Sequence, residues 1–228
     1  MRFAGFDKSL IGFLRELANN NEREWFAENK QRYEALVLNP ALDFIAAMGP
    51  KLRKFAPEFE AIPKRMGGSL MRVYRDTRFG RDKTPYKTNV GIQFRHTQGK
   101  DVHAPGYYVH LAPGEVFIAA GMWHPEPDAL SNVRDAIIAK PAEWKKARDA
   151  TAFRKAFALG GDALKRPPQG VPPDHAFVED LKRKDFIASV DLDEAAALDL
   201  EFIDDVADRF RAATPFMKFL CRAVNVPY

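Results

Sequence analysis

The chain is predicted to be an α+β protein, a mostly antiparallel sheet of about five strands covered by N-terminal, middle and C-terminal helices. Apolar residues recur at helical spacing through the first quarter and again after Pro127. Between these regions lie short β-branched or aromatic runs, "GGSLMRVYR", "NVGIQFRH", "GYYVHLAPG" and "EVFIAAGMW", separated by Gly, Pro and Asn. Their spacing is too tight for crossover helices, so neighbours should pair antiparallel. With 228 residues, 46% of them apolar and 18 of them Phe, the chain can bury a substantial core, and one domain over 1–228 is expected.

The helical region, 1–57, begins with Leu10, Phe13, Leu14 and Leu17, capped by Asp7 or Ser9. Asn19 to Asn21 break the pattern. Trp25, Phe26, Tyr33 and Leu36 then define a second helix that Asn39-Pro40 should end, and a third should start at Pro40 and run through Leu42, Ile45, Leu52 and Phe55. The sheet region is 67–123, with "LAPGEV" as a hairpin turn. Helices follow over 127–183, interrupted by a Gly/Pro-rich connector at 160–174, and their pattern passes through Leu130, Val133, Ile137, Trp144 and Phe153 up to Leu159. Glu126 and Asp128 suit the first turn of a helix. "DFIASVDL" (185–192) reads as one more strand, and 195–224 as a helical tail broken near Thr214-Pro215.

The formal charge of +4 is local. Arg72, Arg75, Arg78, Arg81, Lys83 and Lys87 face only Asp76 and Asp82 between residues 72 and 89, and the rest of the chain is balanced. That distribution disfavours nucleic acid as a partner, because duplex binding needs a broad basic face. A strand over 69–75 would send Leu70, Arg72 and Tyr74 to one face and Met71, Val73 and Arg75 to the other. Gly80 and Pro85 turn the remainder into a loop, with Phe79 and Tyr86 as aromatic anchors.

No apolar run is long enough to span a bilayer, no signal peptide is read, and the one cysteine, Cys221, fits a buried small hydrophobe in a reducing compartment. A cytoplasmic protein is expected. The histidines, His96, His103, His110, His124 and His175, show no zinc-binding spacing, so no metal site is assigned. No nucleophile elbow, phosphate loop or dinucleotide fingerprint names a cofactor, and no motif sets the oligomeric state.

Several phrases, "FLRELANNNEREWFAENKQRYE", "YRDTRFGRDKTPYKTNVG", "GYYVHLAPGEVFIAAGMWHPEP" and "LKRPPQGVPPDH", resemble a conserved hypothetical family of bacterial and fungal proteins, a domain of unknown function. The similarity covers nearly the whole chain and implies a single domain. It implies no activity, substrate or catalytic set.

Function must therefore come from the residues. Guanidinium forks and ammonium groups converging on one point make an anion site. Arg72, Arg75, Arg78, Lys83 and Lys87 are the candidate ligand-binding residues for a phosphorylated or carboxylate small molecule, with Tyr108 and Trp123 lining a shared concave surface. Asp76, Tyr86 and His110 are the candidate groups for handling a proton. Two alternatives use the same charges. In one they pair with Asp76, Asp82 and the acidic helices as an internal network; in the other they dock an acidic protein.

Overall fold

The computed structural model describes residues 3, 5–78, 80–99 and 104–228. Phe79, expected as an aromatic anchor, and His103 lie outside the described residues. The protein is α+β, as its sequence predicts: a six-stranded antiparallel sheet with helices against one face. The strands are β1 (Phe59–Glu60), β2 (Val90–His96), β3 (Gly106–Ala112), β4 (Glu115–Met122), β5 (Ala158–Gly160) and β6 (Phe186–Leu192), in spatial order β1-β2-β3-β4-β6-β5. β3 and β4 join through Pro113-Gly114, where Gly114 takes a φ of 74°.

Alternation decides which face is covered. Ile92, Phe94, Tyr107, Val109, Leu111, Ile118 and Ala188 point to the helical side and are buried. Against them pack α1 (Lys8–Asn19), α4 (Asn39–Leu52), α10 (Phe202–Ala212) and α11 (Thr214–Ala223). Asp7 caps α1 by accepting from the backbone N–H of Ser9 at 2.7 Å. Cys221 is buried in α11, and burial pushes its thiol up to about 12.

Three expectations are corrected. Asn39-Pro40 does not end a helix. After α2 (Arg23–Glu28) and α3 (Lys30–Tyr33), a π-helical turn at Glu34–Leu38 passes straight into α4, with the Asn39 N–H donating to the Glu34 carbonyl. Pro40 can then sit in the opening turn of α4, where its missing N–H costs little.

The helical pattern after Pro127 is not continuous. It divides into α5 (Pro127–Ala139), α6 (Pro141–Arg148) and α7 (Thr151–Ala156), and Leu159 belongs to β5. The proline at position 141 restarts the chain as a new first turn. Asp128 stands in the first turn of α5.

The run at 69–75 is not a regular strand. It touches the 85–93 segment through isolated bridges, Leu70 to Ile92 and Tyr74 to Tyr86. The 86–92 side is two residues longer than the 70–74 side, so a continuous ladder cannot form. Backbone bonds still tie the two together, Met71 N–H to the Gly91 carbonyl at 2.9 Å and Lys87 N–H to the Val73 carbonyl at 2.7 Å. The predicted alternation of faces holds only in part: Met71, Val73 and Arg75 are half-buried and Arg72 and Tyr74 exposed, but Leu70, expected on the face of Arg72 and Tyr74, is buried in the core.

α8 (Val178–Leu181) carries the buried Asp180. Its carboxylate accepts from the Trp144 indole at 2.9 Å and from Arg148 at 2.6 Å, joining α6 to α8. α9 (Glu194–Ala197) follows β6. No helix among the described residues is long and apolar enough to cross a membrane. Trp144→Phe should leave Asp180 without its indole donor. Urea unfolding should show a loss of about 1–3 kcal/mol from that bond, increased by the volume left empty.

Candidate functional site

The face of the sheet opposite the helices carries a groove of about 500 Å³. Its floor follows from register. His110 stands between Gly91 and Phe117, Tyr108 between Gln93 and Ala119, and Gly106 beside Gly121, which in turn pairs with Ile187. Lys87 and Asn89 extend the β2 side beyond His110, and Trp123 extends β4 beyond Gly121, so these side chains line opposite ends. Met71, from the irregular segment beside β2, adds to the wall. Most of the lining is apolar or backbone.

Gly91 makes the polar part of this groove possible. A Cβ there would stand 2.7 Å from the Tyr108 hydroxyl and 3.1 Å from the Met71 sulfur. The Tyr108 hydroxyl occupies that space and lies 3.2 Å from His110 Nδ1. The His110 ring stacks on Phe117 with centroids 4.6 Å apart and planes 9° apart. Burial lowers the His110 pKa, opposed by Glu115, and burial pushes Tyr108 up to about 12, with Glu115 adding to it. Both groups are therefore neutral: with the phenol donating to Nδ1 the imidazole proton stands on Nε2, and with the other tautomer Nδ1–H donates to the phenol oxygen.

Three polar groups here have no protein partner among the described residues. His110 Nε2 has no hydrogen bond, and the nearest carboxylate oxygen, on Glu115, is 3.7 Å away. Gln93 is 7% exposed, and its amide oxygen accepts nothing. Lys87 is half-buried and its ammonium has no carboxylate within ion-pair distance. Burial, and then the charge of Arg72, lower its pKa. Unsatisfied buried polar groups are uncommon in folded proteins and call for an explanation.

Three other cations of the basic segment, Arg75, Arg78 and Lys83, are engaged within it. Arg75 binds the Asp82 carboxylate and the Thr84 hydroxyl. Arg78 grips Asp76 at both carboxylate oxygens, at 3.0 and 2.7 Å. Lys83 donates to the Thr77 carbonyl at 2.8 Å. The Arg78 fork holds Asp76 well below the usual carboxylate range, and the Thr84 backbone N–H, followed by Arg75, holds Asp82 down to about 2. Tyr86 is an anchor. It stacks on Phe26 at 4.0 Å, and Asn21 clasps its backbone, donating to the Tyr86 carbonyl and accepting from its N–H.

Of the residues singled out from sequence, Lys87, Tyr108, His110 and Trp123 meet in the groove. Arg72, Arg75, Arg78, Lys83, Asp76 and Tyr86 do not line it. Sequence reasoning missed Met71, Asn89 and Gln93. For Asn89 and Gln93 the signal was present in "KTNVGIQ", where positions 87, 89, 91 and 93 share one face at period two. Among the described residues, no three His, Cys, Asp or Glu side chains are grouped to hold a metal ion.

A family model described as "Conserved hypothetical protein (DUF2461)" matches residues 9–219. No curated protein and no solved structure matches the chain.

Two measurements test this geometry. Gly91→Ala should displace the Tyr108 hydroxyl and cost about 1–3 kcal/mol in urea unfolding. The second concerns Asp82, whose folded pKa lies below its ordinary value. Its stabilising effect should be present above the ordinary carboxylate pKa and vanish as pH falls through about 2. Carboxyl carbon NMR should show that midpoint, and Arg75→Gln should raise it only partly, because the Thr84 N–H remains.

Proposed function

The chain belongs to this conserved hypothetical family, and we propose that its groove binds a small organic acid, with Lys87 and His110 meeting the acid group. The observation that carries the reading is a pair of buried, unpartnered atoms, His110 Nε2 and the Gln93 amide oxygen, in an otherwise apolar cleft that the half-buried Lys87 also lines. Small-molecule sites commonly have this composition, an apolar lining with a few placed polar groups. In the His110 tautomer with its proton on Nε2, that nitrogen and the Lys87 ammonium are both donors, which fits an anion. A single lining cation matches a monocarboxylate better than a doubly charged phosphate, which would call for further positive groups. The rest of the lining would take an apolar body.

The paired charges, Arg75, Arg78 and Lys83, support the internal-network reading of the basic segment. Arg75 with Asp82 and Arg78 with Asp76 hold the loop in shape, and only Lys87 reaches the groove. The two readings therefore combine, with a stapled loop presenting one cation. Tyr108 and His110 form a donor–acceptor pair beside the acid position, a place where a proton can move between ligand and protein.

A thermal-shift titration with straight-chain and aromatic monocarboxylates, each beside its neutral amide, tests the proposal. The acids should raise the melting temperature and the amides should not. Lys87→Gln should weaken acid binding about tenfold to a hundredfold while leaving the unliganded protein at least as stable, since the amine has no protein partner to lose. Equal shifts with acid and amide, or unchanged acid binding in Lys87→Gln, would overturn it.

A further inference from the structure

Beyond Trp123, at the end of the groove far from Lys87, lies a second polar arrangement. Asp185 is 1% exposed. Its Oδ1 accepts the His124 backbone N–H at 2.6 Å and lies 3.1 Å from His124 Nδ1, and its Oδ2 accepts the Asp162 N–H at 2.8 Å. The backbone is bent to build this. His124 takes a φ of 47°, a conformation that residues other than glycine rarely adopt. Gly161, at φ 84°, lies so close that a Cβ would stand 2.5 Å from the Asp185 Cβ. Non-glycine residues held at positive φ persist where the surroundings over-determine them, and they cluster at ligand-binding positions.

The chemistry of the pair follows from its geometry. A buried carboxylate beside Nδ1 favours the tautomer with the proton on that nitrogen, leaving Nε2 as an acceptor. The His124 side chain is half-exposed, and its ring lies 4.3 Å, centroid to centroid, from the Trp123 ring that lines the groove. Lys87 and His110 line one end of the groove; Trp123 lines the other, and His124 stands just outside it, against the Trp123 ring. The groove runs with the strands between them. The His110 and Gly106 levels alone are separated by four residues of β3, about 13 Å at a strand's rise per residue.

We infer that the groove takes an elongated, two-ended ligand: an acid at the Lys87 end, an apolar middle, and a hydrogen-bond donor such as a hydroxyl at the far end, received by His124 Nε2 held on Asp185. This rests on the organic-acid reading of the groove and adds the second end. It assigns His124 as a ligand-binding residue and Asp185 as the residue that positions it.

The test compares straight-chain acids of about ten to sixteen carbons with the ω-hydroxy acids of the same lengths by isothermal titration calorimetry on the full chain. At the length that spans the groove, the hydroxy acid should bind wild type about tenfold more tightly, the effect of one added hydrogen bond. In His124→Gly, which relieves the positive φ, the hydroxy acid's affinity should fall to that of the unsubstituted acid and the preference to about one. His124→Asn, whose side chain also tolerates this backbone conformation, serves if the glycine variant does not fold. A preference absent in wild type, or kept in the variants, overturns the two-ended ligand and leaves the acid reading standing. A preference that depends on His124 while both acids ignore Lys87→Gln overturns the acid anchor instead. If wild type binds neither acid, both readings fall.

Discussion

The outer edge of β2 is where this molecule sets its own terms. A regular strand over 69–75 would have sealed that edge with an unbroken ladder, its side chains alternating between the two faces of the sheet. The two-residue mismatch between the 70–74 and 86–92 sides prevents this. Pairing is reduced to two bridges and a few backbone bonds. Met71 from that segment, and Lys87 and Asn89 from the chain it pairs with, line the groove.

The basic segment looks different once its partners are known. Its charge excess is a fact of composition, but charge and availability are separate properties. Arg75 and Arg78 are held by acids a few residues away, as loops with alternating charge tend to be. Both pairs involve exposed groups, where ion pairs contribute little to stability and mainly select a conformation. Lys87 differs because it lies where the loop returns to the sheet, with an apolar wall on one side and no carboxylate near.

Much of the fold was legible because it rests on periodicity. Phe13 and Leu14, Ile92 and Phe94, and Val109 and Leu111 announce their elements through spacings of 3.6 or 2. The π-turn before Pro40 was not legible, because proline statistics favour a helix boundary and only the Glu34–Asn39 bond shows that the chain continues. The short strands β1 and β5 escaped notice because two or three residues carry no period. For the site, single residues such as Lys87 and His110 were visible, but not which of the charged groups converge. Convergence depends on Gly91, whose role is an absence of atoms, and on His124 with Asp185, which are far apart in sequence.

The clasp around Tyr86 has an effect on its neighbour. Asn21 fixes the Tyr86 backbone from both sides, Phe26 fixes its ring, and the next N–H, that of Lys87, is bonded to Val73. The stem of Lys87 is thus rooted in chain already immobilised by α2 and by the edge segment. Much of the ordering entropy that a flexible loop would surrender on meeting an anion has been spent during folding. The cation is preorganised, and what it retains for a ligand is mainly the torsional freedom of its own side chain.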